Sequence, residues 1–389
     1  MTTKEFTSQP PLAYLLQLVE GPTYTPDEYE PMLRLLSRRF EGELWSYGSY
    51  EADLEFGRMR LRVVKDRSRL RLVNYLRFAH RVLRRARELR RAAPWPIVVT
   101  SYDPFKGGLL AWRAARILRC GFMCEVNGMY GDPDNFAHVK SRGWRKIRLL
   151  QMRWLGGFVL RRATAVRLLF AEQLDSFVTL PPRTVVRQFF ALSFVDRFHL
   201  GREEPLILSA GFPFERKGVD VLVAAFVRLA ARFPDWRLVL IGHLVPAQLR
   251  ARGLEHPQIL ALPGMPQPQL AAWMSRCAVF ALASRSEAMG RVLLEAAAAG
   301  KCRVATRVGG IPTVLEHDRD GMLVAKESVA ELAAALERVM DDVSLRERLG
   351  SAAKQRVERE FSAAVYLQRF EDLIGATLQA AQPPMAQTA

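Results

Sequence analysis

Two glutamates, Glu287 and Glu295, are separated by seven residues within Ser284–Pro312, a stretch that also contains four glycines. The sequence around Glu295, VLLEAAAA, is rich in strong helix formers and is followed by a glycine that can end a helix. A helix over about 290–299 is therefore predicted, with Glu287 on the preceding loop and Glu295 in the second turn. Both carboxylates then lie near one helix N-terminus, where free amides favour an anion. This combination predicts a site for a polyhydroxylated phosphate ester.

A cation at the start of another predicted helix complements these carboxylates. Leu206–Gly211 is predicted to be a strand, and the loop after it ends in Lys217 and Gly218, where a helix begins. A lysine at such a junction is a mobile point charge that can hold a diphosphate. Because no Asp-x-Asp pair or histidine cluster stands at a predicted strand end, neither a metal nor another cofactor is expected.

Length and composition indicate a globular protein of two domains. The chain has 389 residues, more than one hydrophobic core usually serves, with 49% hydrophobic and 25% charged residues. We find neither an N-terminal leader pattern nor a run of roughly 18 apolar residues. A cytoplasmic location is therefore expected. The four cysteines fit neither a disulfide framework nor a paired zinc pattern and are interpreted as small core residues.

The positive charge is concentrated in the first half of the chain. Residues 1–200 contain 34 Lys and Arg against 19 Asp and Glu, a net charge of +15, whereas the remainder carries only +2 of the total of +17. Such asymmetry indicates an acidic partner for the first half, either an anionic membrane surface or nucleic acid. A merely solvated basic face is the alternative.

The segment from 140 to 162 interleaves bases with large apolar residues and is predicted to form a helix. A basic helix carrying Trp and Leu is typical of a segment that lies at a membrane interface. An ordinary surface helix with a buried stripe explains the pattern equally well. The residues predicted to face an acceptor or a membrane are Lys140, Arg142, Trp144, Arg145, Lys146 and Arg148.

Strands and helices alternate through the first half, which favours a parallel sheet with helices on both faces. Met32–Phe40 is predicted to be a helix, and a stripe of Leu76, Ala79, Val82 or Leu83, Ala86 and Leu89 is interpreted as the core face of a later one. The strand Phe122–Val126 ends at Asn127. Since ligands bind beyond the carboxyl ends of such strands, Asn127 is a candidate site residue, with a plain turn residue as the alternative.

Four consecutive motifs give the opening stretch a specific resemblance to the retaining nucleotide-sugar glycosyltransferases of family four. They are Ser286-Glu287-Ala288-Met289-Gly290, Leu293-Leu294-Glu295-Ala296, Gly300-Lys301-Cys302-Arg303 and Gly309-Gly310-Ile311-Pro312. The resemblance is strong over about 206–362 and weak over the first half.

The resemblance implies an α/β protein of the GT-B fold, with two Rossmann-like domains facing an interdomain cleft. The first domain, which binds the acceptor, is expected over 1–200, and the second, which binds the nucleotide sugar, over 201–362. The C-terminal segment 363–389 is expected to return to the first domain as a helix.

Residue by residue, the resemblance implies roles in catalysis and donor binding. Lys217, Glu287 and Asn127 are the catalytic candidates, and the donor-binding candidates are Glu295, Arg216, Gly290, Arg291, Met289, Gly264 and Met265. Three positions depart from the family pattern: Phe212 replaces a phosphate-binding arginine, Gly21-Pro22-Thr23 replaces a glycine pair, and Asn127 stands where many members have histidine. Either Lys217 works alone on the diphosphate or Arg216 lends it a charge.

Three classes of function follow. The first is a retaining, hexosyltransferase-type enzyme that moves a sugar from a nucleotide sugar to an acceptor, with attack on the face from which the phosphate departs. A lipid-linked saccharide of envelope polysaccharide synthesis is the expected acceptor, which places the enzyme on the inner face of the cytoplasmic membrane. The alternatives are a nucleotide-sugar epimerase of the same fold and a nucleic-acid binder. Nucleic acid is not expected as a partner, since no recognised binding module is present.

Overall fold

The chain folds into two compact units, each built on its own mainly parallel β-sheet. The computed structural model describes residues 10–19, 25–92, 95–136, 141–175, 177–192, 198, 201–242 and 245–382. The first unit takes in the described residues of Met1–Asn127, Leu150–Phe190 and Tyr366–Ala389. The second takes in those of Gly128–Leu149 and Ala191–Val365.

The sheet of the first unit has eight strands. They are β1 (Tyr14–Leu18), β2 (Glu41–Gly48), β3 (Ala52–Phe56), β4 (Met59–Lys65), β5 (Ile97–Ser101), β6 (Gly121–Glu125), β7 (Ala165–Leu168) and β8 (Val185–Gln188), in the order β3-β4-β2-β1-β5-β6-β7-β8. Only the edge strand β3 is antiparallel to its neighbour. The central strands β1 and β6 are buried throughout, as expected for a parallel sheet covered on both faces.

In the described part of this first half, four helices connect the strands. They are α1 (Pro26–Leu36), α2 (Arg71–Ala92), α3 (Lys106–Leu118) and α4 (Arg142–Leu160). Helix α1 begins earlier than predicted and ends before Phe40. The earlier start is caused by a capping box, in which Thr25 and Glu28 satisfy each other's backbone amides, together with a proline in the first turn. Our prediction of a helix over Met32–Phe40 was therefore wrong at both ends.

The buried face of α2 also differs from the predicted stripe. The helix buries Asn74, Phe78, Val82, Ala86 and Leu89, a regular spacing of about one helical turn. Leu76, assigned to the core from the sequence, is 56% exposed. The predicted stripe is confirmed at Ala86 and Leu89 and is wrong in the first turns, where Asn74 is buried instead and accepts hydrogen bonds from the backbone amides of Arg67 and Ser68.

The sheet of the second unit has six strands, all parallel. They are β9 (Glu204–Ala210), β10 (Arg237–Ile241), β11 (Ile259–Leu262), β12 (Cys277–Leu282), β13 (Cys302–Thr306) and β14 (Met322–Val324), in the order β11-β10-β9-β12-β13-β14. The chain adds strands in one direction from β9 and in the other from β12. The strand order therefore reverses between β9 and β12, and parallel sheets bind ligands at such a reversal.

Among the described residues of this unit, seven helices cover the sheet. They are α5 (Val219–Ala230), α6 (Val245–Ala251), α7 (Gln267–Arg276), α8 (Arg291–Ala298), α9 (Ile311–Val314), α10 (Val329–Asp341) and α11 (Val343–Glu360). The strand faces and the apolar sides of α5, α10 and α11 form one continuous core. Helix α8 matches the helix predicted from the strong helix formers around Glu295.

The last helix, α12 (Ala363–Ala381), packs within the first unit. The ring of Phe370 meets that of Phe40 edge-on with centroids 5.7 Å apart, and Arg39 pairs with Glu371 at 3.0 Å. The return of the C-terminal helix to the first unit confirms that part of the predicted fold.

Candidate functional site

Two neighbouring loops of the second unit carry the charged residues singled out from the sequence. The loop after β9 spans 211–218 and ends in Lys217 and Gly218, and the loop after β12 spans 283–290 and contains Glu287. Strands β9 and β12 are adjacent and parallel, so their carboxyl ends and both loops lie side by side. The site therefore forms at the reversal in strand order.

The two loops touch through their backbones. The amide of Arg285 donates to the carbonyl oxygen of Arg216 at 2.8 Å. Gly218 caps α5 with φ of +59°, and a Cβ built on it would lie 2.0 Å from the carbonyl oxygen of Ala283. Only glycine permits both this left-handed conformation and this approach of the loops.

Lys217 and Glu287 form an ion pair between the loops. Nζ of Lys217 lies 2.6 Å from Oε2 of Glu287, and the two side chains are only 10% and 11% exposed. The hydroxyl of Ser284 donates to the same oxygen at 3.3 Å. A Cβ on Gly211 would lie 2.5 Å from Cε of Lys217, so glycine there leaves room for the lysine to reach the carboxylate.

Arg216 completes the charged cluster from the same side. Its Nη1 lies 3.5 Å from Oε1 of Glu287 and donates to the carbonyl oxygen of Ser286 at 3.4 Å. Its Nη2 donates to the carbonyl oxygen of Phe212 at 2.8 Å, which brings a guanidinium back towards the position where the family pattern has an arginine. That Arg216 lends a second charge to the diphosphate, one of the two alternatives drawn from the sequence, stays a prediction.

The charges around Glu287 keep it ionised. Burial by itself raises the pKa of this carboxyl, but the nearby charges of Lys217 and Arg216 and the hydrogen bonds from Lys217 and Ser284 outweigh it, so the pKa is lowered. Glu287 is therefore an acceptor for hydroxyl or ammonium donors at neutral pH.

Glu295 has the opposite character. It lies in the second turn of α8, where burial raises its pKa and the charges of Arg291 and Lys217 offset this only in part. A carboxyl that is costly to ionise without a partner is suited to accept hydrogen bonds from a ligand's hydroxyl groups.

The turn before α8 is fixed by glycines. Gly290 caps the helix with φ of +74°. The amide of Gly310 donates to the carbonyl oxygen of Glu287 at 3.3 Å, and a Cβ on Gly309 would lie 1.9 Å from that oxygen. The glycine pair after β13 thus holds the backbone of Glu287 in place.

The remaining donor candidates are spread around this cluster. Arg291, the first residue of α8, is exposed, and Met289 is buried. Gly264 and Met265 follow the edge strand β11, two strands away from β9. The structure joins Lys217, Arg216 and Glu287 directly, and the catalytic and donor-binding roles of all these residues stay predictions.

Asn127 lies in the first unit, at the end of β6. Its amide nitrogen donates to the carbonyl oxygen of Tyr102 at 2.8 Å, and its amide oxygen accepts from the guanidinium of Arg167. Arg167 is fully buried and also donates to Glu125 and, at 3.3 Å, to the carbonyl oxygen of Phe189. Asn127 is therefore held rigidly at the carboxyl edge of the sheet.

The basic segment forms α4, and four of its large apolar residues are exposed, whereas Val159 and Leu160 at its end are buried. Leu150 is 70% and Trp154 72% exposed, and Trp144 and Ile147 on the same side are exposed as well. Arg145, Lys146 and Arg148 lie on the same helix.

Lys140, Gly21 and its neighbours lie outside the described residues. Across the described part of the chain, no helix is long and apolar enough to cross a membrane, and no group of His, Cys, Asp or Glu could hold a metal ion.

Two residues of the site were missed from the sequence. Ser284 donates to Glu287, and Arg285 joins the two loops. Serine and arginine at these positions carry no pattern of their own, because the side-chain partners of Arg285 are 42 to 70 residues away and Ser284 meets its partner within an irregular loop.

Comparison with known proteins supports the interpretation of the second unit. Residues 195–356 match the sequence profile of the family glycosyl transferases group 1. A D-inositol 3-phosphate glycosyltransferase of Pseudarthrobacter chlorophenolicus is 38% identical over 160 residues, which are 39% of this chain and 38% of that protein. The chain thus covers about two fifths of the length of the curated relatives it matches.

Solved structures match the chain over almost its whole length. Anabaena Alr3699/HepE, in complex with UDP and glucose, aligns with a TM-score of 0.69 at 16% identity, over 94% of this chain and 100% of that one. WaaG, a glycosyltransferase involved in lipopolysaccharide biosynthesis, aligns with a TM-score of 0.67 at 16% identity, over 93% and 99%. The chain has the two-domain α/β GT-B fold. The fold class predicted from the sequence is therefore confirmed, and at this identity the likeness bears on the fold alone.

Proposed function

We propose that the protein is a glycosyltransferase that moves a sugar from a nucleotide-sugar donor to an acceptor. The observation that carries the proposal is the cluster at the strand-order reversal, where Lys217 and Arg216 meet Glu287 at 2.6 and 3.5 Å. Two cations beside a carboxylate provide partners for a leaving diphosphate and for sugar hydroxyls. The match of residues 195–356 to glycosyl transferases group 1 supports the same assignment.

Each residue of the cluster has a proposed role. Lys217 and Arg216 take the negative charge that develops on the leaving diphosphate, with the free amides at the start of α8 helping. Glu287 accepts hydrogen bonds from the donor sugar, and Glu295 from the ribose. Asn127 is the contribution proposed for the first unit. No metal ion or other cofactor is proposed to take part.

We propose that the reaction retains the anomeric configuration. Glu287 is engaged by Lys217, Arg216 and Ser284, which makes it a poor covalent nucleophile. The acceptor hydroxyl attacks the anomeric carbon on the face from which the nucleoside diphosphate departs, and the departing phosphate accepts the proton of that hydroxyl. This step needs no nucleophile from the protein. The nucleotide is proposed to be UDP, since the solved relative HepE binds UDP with glucose.

The acceptor is proposed to be a lipid-linked saccharide of envelope polysaccharide synthesis. Exposed Leu150 and Trp154 on a helix that also bears arginines form a surface suited to anionic head groups. The enzyme would then work in the cytoplasm as a peripheral protein on the inner membrane face. A soluble inositol phosphate is the second candidate, favoured by the local match to D-inositol 3-phosphate glycosyltransferases.

The test is product analysis with purified protein and UDP-sugars. A glycosyltransferase releases UDP only with an acceptor present, whereas a nucleotide-sugar epimerase converts the donor alone. Lys217→Ala and Glu287→Ala should abolish transfer while the circular dichroism spectrum is preserved. Full activity of both variants would overturn the proposal, and strongly salt-dependent binding to nucleic acid would favour the remaining alternative.

A further inference from the structure

Arg285 lies two residues before Glu287 and turns its guanidinium away from that carboxylate. Nη1 and Nη2 donate to the two carboxylate oxygens of Asp220, at 2.9 and 2.8 Å, in a bidentate pair. Nη2 also donates to Glu327 at 3.1 Å, and Nε donates to the other oxygen of that residue. With two carboxylates around it, the charge of Arg285 is neutralised.

The same arginine also donates hydrogen bonds to the backbone of the loop 211–218. Nη1 donates to the carbonyl oxygen of Glu215 at 2.6 Å, and the amide of Arg285 donates to the carbonyl oxygen of Arg216 at 2.8 Å. These carbonyls belong to the two residues directly before Lys217. Arg285 therefore holds the loop that carries the cations against the loop that carries Glu287.

We propose that Arg285 is a positioning residue that sets the separation of Lys217 from Glu287. It thereby determines how strongly Lys217 binds the second phosphate of a nucleoside diphosphate. The inference rests on the proposed function. Arg285 does not touch the ligand, because its donors are directed to Asp220, Glu327 and Glu215. It acts by fixing where Nζ of Lys217 lies.

The geometry requires arginine in particular. A guanidinium presents several donors in a rigid plane, so it can serve a carboxylate bidentately and a carbonyl at the same time. A lysine at 285 would keep the charge beside Asp220 but could not reach all three partners from fixed directions. Met at 285 would keep much of the volume and remove every donor.

The test compares nucleoside diphosphate with monophosphate binding in Arg285→Met and Arg285→Lys. The matched control is Arg276→Met, which removes another bidentate pair of the same unit, with Glu204 at 2.8 and 2.9 Å. Dissociation constants for UDP and UMP are measured by calorimetry, or for the GDP or ADP pair if that base stabilises the wild type more. Thermal unfolding is followed in parallel.

We expect both Arg285 variants to bind UDP about tenfold or more weakly, the value of one charge-assisted hydrogen bond, and UMP within about twofold of wild type. Arg276→Met should leave both constants unchanged. A general loss of stability cannot produce this selective effect, because it acts on both ligands alike.

An unchanged ratio of UDP to UMP affinity in either Arg285 variant would overturn the positioning role, whatever happens to its melting temperature. If Arg285→Met does not fold, Arg285→Lys decides alone, and a wild-type ratio there overturns the proposal. A wild-type protein that binds none of UDP, GDP and ADP would overturn the proposed function itself, which is a separate result.

Discussion

Replacing Lys217 by methionine tests the centre of the site. The change keeps a long unbranched side chain over Gly211 but removes the ammonium that lies 2.6 Å from Glu287. Glu287 would retain Arg216 at 3.5 Å and the hydroxyl of Ser284 at 3.3 Å. The variant therefore separates the contribution of one buried charge from that of packing.

Two free-energy estimates limit how far Lys217→Met can lower the stability of the fold. Removing one partner of a buried ion pair costs about 3–5 kcal/mol when the other charge is left uncompensated. Glu287 can instead take up a proton, which at pH 7 costs about 3.4 kcal/mol for a carboxyl of ordinary pKa 4.5. Because Arg216 still compensates part of the charge, we expect the free energy of unfolding to fall by about 1–3 kcal/mol.

The cost to ligand binding is measured separately. Loss of a hydrogen bond from a charged donor to phosphate should weaken UDP binding by about 1.5–3 kcal/mol, or roughly 10–150-fold. Calorimetry with UDP measures this, and Lys326→Met, which removes a more exposed lysine paired with Asp134 in the same unit, is the control. UDP affinity within twofold of wild type would refute the assignment of Lys217 as the phosphate cation.

The same pair predicts a pH dependence. The pKa of Glu287 is lowered in the folded state, so its stabilising contribution is present above the unfolded value of 4.5 and is lost as the pH falls through the lower folded value. In Lys217→Met the pKa of Glu287 in the folded state should be higher, so less stability should be lost as the pH falls below 4.5. Urea unfolding between pH 3 and 7 measures the shift, and identical acid limbs for both proteins would contradict it.

Three further changes have expected outcomes. Gly218→Ala should lower the free energy of unfolding by about 2–5 kcal/mol, because it combines a left-handed backbone with a clash against the neighbouring loop. Gly253→Ala, with φ of +61° and nothing within 4 Å, should lower it only by the backbone part of about 1–2 kcal/mol. Equal losses for the two variants on chemical unfolding would count against the loop contact. Burial raises the pKa of Glu295, so the wild type loses stability as the pH rises from 4.5 through the pKa of the folded state. Glu295→Gln should therefore raise the melting temperature more at pH 8 than at pH 5, and it should weaken UDP binding. A lowered melting temperature at pH 8 would exclude this account. Trp154→Glu should reduce sedimentation with anionic vesicles, with the exposed Leu260→Glu of the second unit as control; unchanged recovery, or equal recovery with neutral vesicles, would remove the membrane surface.

Much of the second unit could be predicted from local patterns. The helix formers around Glu295, the glycines at 290 and 300 and the short apolar strand after them fix α8 and β13, since their signals lie within one element. Patterns were less reliable in the first half. The capping box at Thr25 was overlooked, and the buried face of α2 was wrong in its first turns, because the buried Asn74 carries no apolar signal in the sequence.

The sequence by itself determined which residues are chemically competent: two carboxylates seven residues apart, a lysine before a glycine, and the helices that begin beside them. It could not determine that Lys217 and Glu287 form a pair, because they are separated by 70 residues and meet only through the adjacency of β9 and β12. Nor could it assign Arg285, whose partners lie on three different elements. Contacts across a parallel sheet depend on strand order, and strand order is a property of the folded chain.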